Sequence, residues 1–317
     1  MTSPTEPSGA PRMTATGFQA LYEFLRSKTT LPKANGKPGA LRHLTPERVA
    51  AAVAEVRLGR TVSLAAPIGT TAGPDDPEPA VHTMTGPALA ELTAPGLHFA
   101  TDRFAMNVHS NANSHLDALC HVVFDGELYG GVPAGTVRTE AAGALTVDLL
   151  KDGLVGRGVL LDIPRLRGVP WLEPGDHVTA ADLTAAEAAQ EVRVGPGDLL
   201  FIRVGHRRRR TEHGPWDASV ARTGLHPTAL RLLAEREVAV VGSDGNNDTA
   251  PSAVEDIAFP VHVLAIQAMG IHLMDYLQFE DLTPICAQAG RWSFLCVVAP
   301  LRLPGATGSP VNPIAVL

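Results

Sequence analysis

The chain has 317 residues, 45% of them hydrophobic, and carries a formal net charge of −7. Its length allows one large domain or two modest ones, and its apolar content excludes a wholly disordered chain. The acidic balance, with a pI near 5.9, argues against a nucleic-acid-binding protein. One basic run, HRRRR at 206–210, is predicted to be a solvated loop, with a contact to an anion or to another subunit as the alternative.

The cysteines and the terminal sequence indicate the cellular setting. Cys120, Cys286 and Cys296 have no C-x-x-C spacing, so they predict neither a disulfide framework nor a zinc ribbon. No apolar run reaches membrane-spanning length, and MTSPTEPSGAPR lacks the pattern of a secretion signal. We therefore expect a soluble cytoplasmic protein without nucleic-acid or membrane partners.

The first forty residues predict a tail followed by a helical arm. Residues 1–14 are rich in proline, serine, threonine and glycine and are expected to be disordered. Residues 17–28 predict a short helix, because apolar side chains share one face: Phe18, Leu21, Tyr22 and Leu25. A turn-rich linker follows at 31–39.

A second helix is predicted over 45–59. Thr45 is placed to cap it, Pro46 occupies the first helical position, and a glycine ends it. We divide the chain into 1–42, a disordered tail with a helical arm, and 43–317, the main domain.

The main domain predicts a mixed arrangement of strands and helices. Residues 66–98 have no clear periodicity. Apolar runs bounded mostly by glycine or proline predict strands at 61–68, 158–164, 197–205, 238–244 and 292–301. Helical patterns occupy 179–191, 226–237 and 260–270. Since strands and helices alternate without a strict β-α-β rhythm, we expect a single mixed α/β domain without repeats.

The segment SHLDALCH, residues 114–121, concentrates side chains that carry chemistry. In an extended chain, side chains alternate between two faces, so His115, Asp117 and His121 would share one side. If the chain instead turns into a helix after Asp117, His121 lies one turn further on, beside it again. Only a helix throughout would separate His115 from Asp117.

A histidine–aspartate–histidine set suits a divalent ion, because neutral imidazole and carboxylate bind Zn²⁺, Mn²⁺ and Fe²⁺. At least one further ligand must come from elsewhere in the chain. Taken singly, each of these residues could instead cap or satisfy local backbone. Cys120 points away from the set in a strand, so we interpret it as core packing rather than as a nucleophile.

HLDALCH followed by DGELYGG resembles the signature of the metal-dependent cyclase family, which includes bacterial kynurenine formamidases and isatin hydrolases. The family hallmark is H-x-G-T-H-x-D-x-P-x-H. The resemblance covers roughly 55–317 and extends to these blocks: RGVLLDIPRLRGVPWLEPGD, GPGDLLFIRVG, GLHPTALRLLAEREVAVVGSD, GIHLMDYLQFEDL and APLRLPGATGSPVNPIAVL. It implies a mixed-sheet α/β domain of the swivelling β/β/α type.

The resemblance also assigns roles. His115 and Asp117 match the core metal ligands, and His121 matches the last histidine of the motif, an acid/base group or further ligand. Asp275 in GIHLMD takes the place of a downstream Glu or Gln ligand. His262 resembles a second active-site histidine, although its spacing is one residue longer than expected.

Two positions depart from the family pattern. The first histidine of the motif should stand four residues before His115, where this chain has Asn111. His109 could replace it as a metal ligand only if the loop carries two extra residues, so one ion, Mn or Zn, is expected rather than two. Leu119 replaces the usual proline, which should not remove any chemistry.

The remaining polar candidates are assigned less specific roles. Asp244, Asn246, Asn247 and Asp248 follow a predicted strand; we interpret them as a turn, with a site loop at the carboxyl end of the strand as the alternative. The other histidines are left as surface, cap or core residues: His43, His82, His98, His177, His206, His213, His226 and His272.

These observations favour a metal-dependent hydrolase that opens an amide, lactam or lactone of a small cyclic or aromatic substrate through a metal-activated water. The alternative on the same scaffold is a cyclase, dehydratase or isomerase. A non-enzymatic metal-binding protein with a decayed site is the third hypothesis. The family resemblance further implies a homodimer or a higher homo-oligomer, in which the arm at 15–58 could wrap a partner chain.

Overall fold

The computed structural model describes residues 12–29 and 38–317. Most of the predicted disordered tail and most of the linker predicted at 31–39 lie outside these residues. Arg12, Met13 and Thr14 are described, and for them the prediction of disorder is wrong. The Met13 N–H donates to the Ala253 carbonyl at 2.8 Å.

The described part of the chain contains fifteen strands, nine of which form one large sheet. The strands are β1 (Thr61–Ser63), β2 (Val81–Met84), β3 (Asp102–Ala105), β4 (His115–Asp117), β5 (Glu127–Leu128), β6 (Val132–Pro133), β7 (Leu154–Asp162), β8 (His177–Val178), β9 (Leu199–Arg203), β10 (Gly224–Leu225), β11 (Val240–Ser243), β12 (His272–Asp275), β13 (Ser293–Val298), β14 (Gly308–Pro310) and β15 (Ile314–Val316). The order in the large sheet is β1-β15-β13-β7-β9-β11-β12-β4-β14.

The centre of this sheet is parallel and its flanks are antiparallel. Strands β7, β9, β11 and β12 run parallel, and β12 pairs with β4 in the antiparallel sense. The central strands are continuous apolar runs because both of their faces are buried. A mixed α/β domain is therefore confirmed, and so are the strands predicted from 158–164, 197–205, 238–244 and 292–301. The strand predicted over 61–68 is shorter, ending at Ser63.

Nine α-helices lie within the described residues. They are α1 (Ala15–Lys28), α2 (Pro46–Ala52), α3 (Leu89–Leu92), α4 (Ile163–Arg167), α5 (Ala180–Ala189), α6 (His206–His213), α7 (Ala229–Glu235), α8 (Pro260–His262) and α9 (Leu282–Ala289). Helix α8 continues as a π-helical segment, Val263–Ala268. Short 3-10 turns occupy Gly39–His43, Val53–Glu55, Tyr129–Gly131, Ala134–Thr136 and Val147–Leu150.

Local capping explains where the first two helices begin. Thr14 and Thr45 cap α1 and α2, each accepting a hydrogen bond from a backbone N–H three residues later. Helix α2 is shorter than the predicted 45–59, because the chain tightens into a 3-10 turn after Ala52.

Two apolar cores cover the two faces of the sheet. One is shared by α1, α5, α7 and the π-helical segment, and the predicted apolar face of α1 is buried in it. The other contains Leu116, Phe201 and Phe294 and is covered on its outer side by α9. The domain boundary at 42/43 stays a prediction. No helix within 12–29 or 38–317 is long and apolar enough to cross a membrane.

The HRRRR run is not a loop, so that prediction is wrong. It forms most of α6, and His206 and Arg207 are buried. The Arg207 guanidinium donates to the carbonyl oxygens of Ala112, Tyr276 and Leu277. Because buried carbonyl groups require partners, one arginine of this run, Arg207, is buried to satisfy the backbone of two loops.

Candidate metal centre

Strand pairing brings together three of the predicted site residues. His115 and Asp117 lie on one face of β4, as the period of two predicts. In the pairing of β4 with β12, His115 stands directly opposite Asp275, so the two side chains project from the same face. The candidate ligands 160 positions apart in the sequence thus become neighbours through one antiparallel ladder.

The first set of potential metal donors contains His109, His115 and Asp117. The His109 Nδ1 atom lies 2.9 Å from Asp117 Oδ1, and His115 Nε2 lies 3.7 Å from the same oxygen. The Nδ1 atom of His115 is hydrogen-bonded to the Asn113 carbonyl at 2.8 Å, which leaves Nε2 directed into the site. The loop before β4 therefore carries His109, and not Asn111, against Asp117.

The second set contains Asp117, His262 and Asp275. The His262 Nε2 atom lies 3.4 Å from Asp117 Oδ2 and 3.5 Å from Asp275 Oδ2. All three residues are buried. Asp117 belongs to both sets, with one carboxylate oxygen facing each of them. If each set held a cation, Asp117 would offer one carboxylate oxygen to each of them.

Two observations show that this donor set fits a cation. Asp117 is 1% exposed, and its Oδ2 atom accepts no hydrogen bond from any described residue. A buried carboxylate oxygen without a hydrogen-bond partner is costly unless a cation compensates it. In addition, Asp117, Asp248 and Asp275 all surround the single imidazole of His262.

The pKa shifts point to the same excess of negative charge. Burial disfavours the ionised form of Asp117, but His121, His109, His262 and His115 outweigh it and hold its pKa well below the usual range. Burial likewise lowers the pKa of His262, yet its contacts with Asp117, Asp248 and Asp275 raise this pKa well above the usual value. Positive charge between the carboxylates of Asp117, Asp248 and Asp275 therefore stabilises them, and a divalent ion would supply it.

His121 lies just outside both donor sets. Its ring stacks on that of His109 with a centroid distance of 3.7 Å and an interplanar angle of 9°. Burial lowers its pKa to about 4, so the imidazole is neutral near pH 7. A turn after β4 places it there, since its N–H donates to the Ala118 carbonyl. His121 therefore lies next to the potential metal donors without belonging to either set.

The predicted turn at 244–248 contains residues that hold the donors in place. Asp248 Oδ2 accepts a hydrogen bond from His262 Nδ1 at 2.6 Å, which directs Nε2 of that ring towards Asp117. Asn246 and Asn247 donate their side-chain amides to Asp275. The alternative interpretation from the sequence, a site loop at the carboxyl end of a strand, rested on their position after β11.

Three other residues near the site have structural partners. Thr307 contacts the Nε2 atom of His109 at 3.0 Å and was not found from the sequence. The Oδ1 atom of Asn111 accepts a hydrogen bond from the Tyr276 hydroxyl at 3.1 Å, so the side chain is held at the rim of the site. Asp244 accepts the backbone N–H groups of Val204 and Gly205, which makes it a loop anchor.

Four of the five potential donors, all except Asp117, line a cavity of about 590 Å³. Its floor is polar and holds His109, His115, His121, His262 and Asp275. Its walls are mainly apolar and come from two segments, 122–124 and 256–259. Convergence of the histidines and carboxylates at an apolar-walled cavity counts against a non-enzymatic protein with a decayed site.

Cys120 is not part of this chemistry. The side chain is buried, and burial raises the pKa of the thiol to about 11, so it stays protonated at neutral pH. It packs in the second core, as expected from its even position in the β4 region.

Comparison with known proteins decides the family. Residues 62–249 match the sequence model of the family described as "Putative cyclase". The chain belongs to the cyclase family. A crystal structure of a novel cyclase is similar to it, with 31% identity and a TM-score of 0.79, covering 90% of this chain and 97% of that one. The resemblance inferred from the sequence motifs is therefore confirmed. No curated protein matches the chain.

Other cyclase-like structures share the fold at lower identity. Isatin hydrolase A from Labrenzia aggregata, bound to benzyl benzoate, is 18% identical, with a TM-score of 0.58 over 81% of this chain and 93% of that one. A predicted metal-dependent hydrolase from Bacillus stearothermophilus is 19% identical, with a TM-score of 0.51 over 81% of this chain and 97% of that one. At these identities the similarity establishes the fold of this cyclase-family chain and nothing finer.

Proposed function

We propose that this cyclase-family protein is a metal-dependent hydrolase that opens an amide, lactam or lactone bond of a small cyclic or aromatic substrate. The observation that carries the proposal is the shared carboxylate of Asp117, which joins two donor sets at the floor of an apolar-walled cavity. The hydrolase names of structural neighbours support the reaction class. The cytoplasmic setting predicted from the sequence is retained as part of this proposal.

We assign the metal donors as His109, His115 and Asp117 in one set and Asp117, His262 and Asp275 in the other. Imidazole and carboxylate suit both Mn²⁺ and Zn²⁺. A bound ion would polarise the substrate carbonyl and lower the pKa of a water ligand towards neutrality. The sequence predicts one bound ion, whereas the two donor sets would allow two ions to bind.

The protein supplies the proton transfer and the positioning. Neutral His121 accepts the proton of the attacking water and returns it to the leaving group, as a general base and acid. Asp248 orients His262, and Asn246 with Asn247 fixes the carboxylate of Asp275. In this assignment His262 is a metal donor rather than a second proton carrier, because its Nε2 atom lies between two carboxylates.

The reaction type is tested by turnover in H₂¹⁸O with isatin and an N-formylated aromatic amine as probes. Hydrolysis places the label in the carboxylate product. Formation of product without label would support the alternative, a cyclase, dehydratase or isomerase, which a metal that stabilises an enolate can also serve. Lack of turnover of any such cyclic or aryl amide would contradict the proposed substrate class.

The number of ions is predicted to depend on His109. His109→Ala removes a donor from the first set and leaves Asp117, His262 and Asp275 unchanged. If two ions bind, the variant should retain about half of the wild-type metal content after reconstitution with Mn²⁺ or Zn²⁺, because each set holds one ion. Elemental analysis of the folded protein measures this.

His82→Ala is the matched control, since His82 forms an exposed pair with Asp102 at 2.7 Å and lies outside the centre. It should leave the metal content unchanged. A wild-type content of one ion per chain that survives His109→Ala would instead support the single-ion prediction from the sequence.

A hairpin provides the best candidate for a subunit interface. Among the described residues, strands β2 and β3 pair only with each other, and their side chains are exposed. The segment around them exposes six large apolar side chains: Val81, Met84, Leu89, Leu97, Phe99 and Phe104. Isolated two-stranded hairpins are marginally stable, and large apolar patches mark interaction sites. The apolar face of α1 is already buried within its own chain.

We therefore place the homo-oligomer contact at this hairpin. Residues 1–11 and 30–37 carry only Met1 and Leu31 as large apolar side chains, too few to cover the patch. Combining Leu97→Asp with Phe99→Asp should convert the oligomer to monomer in size-exclusion chromatography with light scattering, because the desolvated patch would acquire two charges. Val220→Asp, at an exposed site elsewhere, is the control. A monomeric wild type would refute the interface.

A further inference from the structure

The two apolar walls of the cavity lie next to helix α1 and the two residues, Arg12 and Met13, that precede its cap. The first wall is the segment 122–124, and the second is 256–259. Neither lies in a strand of the large sheet, so hydrogen bonds of that sheet do not fix their separation. Their position must come from the groups packed behind them.

Behind the first wall, α1 presents two aromatic rings. Phe18 and Tyr22 are buried, and their ring centroids lie 6.0 Å and 5.1 Å from that of Phe124. Phe124 itself lines the cavity. The Arg26 guanidinium, one turn further along α1, pairs with Glu127 at 2.8 Å. The helix thus holds the 122–128 segment by an aromatic cluster and an ion pair.

Directly before the second wall, at residues 253–255, Met13 forms an isolated parallel bridge with Val254. The Met13 N–H donates to the Ala253 carbonyl at 2.8 Å, and the Glu255 N–H donates to the Met13 carbonyl at 3.0 Å. The Arg12 guanidinium donates to the Val254 carbonyl at 3.3 Å. Ile257, which lines the cavity, packs on the same core that buries α1.

The far end of α1 contacts the element that carries His262. The Thr29 hydroxyl donates to the Ala268 carbonyl at 3.0 Å, at the end of the π-helical segment. Val263, the first residue of this segment, also lines the cavity. Helix α1 and its flanking residues therefore contact the first wall, the residues 253–255 that lead into the second wall, and the segment that follows the floor residue His262.

We propose that Arg12, Met13 and helix α1 form a positioning element that sets the width of the substrate entrance. The apolar walls that it holds suit a planar aromatic substrate. The inference rests on the proposed hydrolase function for its activity readout. Phe18 and Tyr22 act through Phe124 and touch no reacting atom, so they are positioning residues.

The same face of α1 offers a control for a merely structural role. Leu25 is fully buried, but it lies beside Leu233, Met269 and Ile271 and away from the cavity walls. Leu25→Ala therefore weakens the docking of α1 without removing support from Phe124. Tyr22→Phe keeps the ring and removes only the hydroxyl, which accepts a hydrogen bond from Arg26.

The experiment compares Tyr22→Ala with Tyr22→Phe and Leu25→Ala in the full chain. Tyr22→Ala should raise deuterium exchange in 122–128, leave the metal content unchanged, and raise KM for isatin or the N-formylated amine about tenfold with kcat within about twofold, as expected for lost uniform binding. Tyr22→Phe should match the wild type. Leu25→Ala should leave exchange at 122–128 and KM unchanged.

Met13→Pro tests the second wall separately, because it removes the N–H that Met13 donates to Ala253. It should raise exchange at 251–259 and leave 122–128 protected, and it covers the case in which Tyr22→Ala does not fold. Unchanged exchange in both segments, or equal effects of Tyr22→Ala and Leu25→Ala, would overturn the inference. Absence of turnover in the wild type would count against the proposed function alone, since exchange is measured without substrate.

Discussion

Asp117→Asn is expected to remove metal from both donor sets and to lower the hydrolytic rate by at least about 1000-fold, equivalent to ~4 kcal/mol in the activation barrier. Asp117 is the residue that the two sets share, with Oδ1 near His109 and Oδ2 near His262. An amide at this position keeps the shape of the side chain but removes its negative charge and one of its two acceptor oxygens. Metal content and turnover of the purified variant measure the effect.

Asp76→Asn is a suitable control, because Asp76 is also a buried aspartate and contacts Asn113 rather than a donor. It should keep its metal. Circular dichroism separates loss of metal from loss of fold. A folded Asp117→Asn protein that retains full metal content would refute the assignment of Asp117 as the bridging ligand.

Asp248→Asn is expected to lower metal affinity and activity by about 10- to 100-fold, the usual cost of losing a residue that orients a metal ligand. The Asp248 carboxylate accepts hydrogen bonds from the Val261 and His262 N–H groups and from His262 Nδ1. An asparagine amide would instead donate to Nδ1, which moves the imidazole proton to Nε2 and blocks the atom that faces Asp117. Titration against a competing chelator measures the affinity.

The same substitution is expected to reduce stability by about 1–3 kcal/mol, because one buried N–H at the start of α8 loses its acceptor. Asp256→Asn is the control on the same loop. Asp256 is exposed, lines the cavity, and makes no hydrogen bond to any of the described metal-donor residues. If Asp248→Asn binds metal as tightly as Asp256→Asn, the orienting role of Asp248 is wrong.

The largest difference between the prediction from the sequence and the structure concerns His109. Motif spacing placed Asn111 at the first ligand position, which argued for a single ion. The structure directs the His109 ring to Asp117, while Asn111 is held by Tyr276. Motif spacing counts residues along the chain, whereas the path of the loop decides which side chain arrives, so two additional residues do not prevent the contact.

The prediction of a solvated loop at 206–210 was wrong for a related reason. A run of arginines has no apolar periodicity, so its composition predicts a solvated segment. In the folded chain Arg207 is surrounded by carbonyl oxygens of distant loops, and Arg210 pairs with Asp75. The partners of these guanidinium groups lie about 70 to 135 residues away along the chain, where local patterns carry no information.

The sequence by itself determined the central strands of the sheet and the chemistry of the motif. Apolar runs bounded by glycine or proline predicted the central strands, and the period of two placed His115 and Asp117 on one face, because both signals depend only on neighbouring residues. Only the tertiary structure decided which distant groups complete the site. The β4–β12 ladder places Asp275 opposite His115, and the hydrogen bond to Asp248 orients His262. Helix α1 packs behind Phe124, which lines the cavity. These contacts depend on how distant elements pack, which is a property of the whole fold.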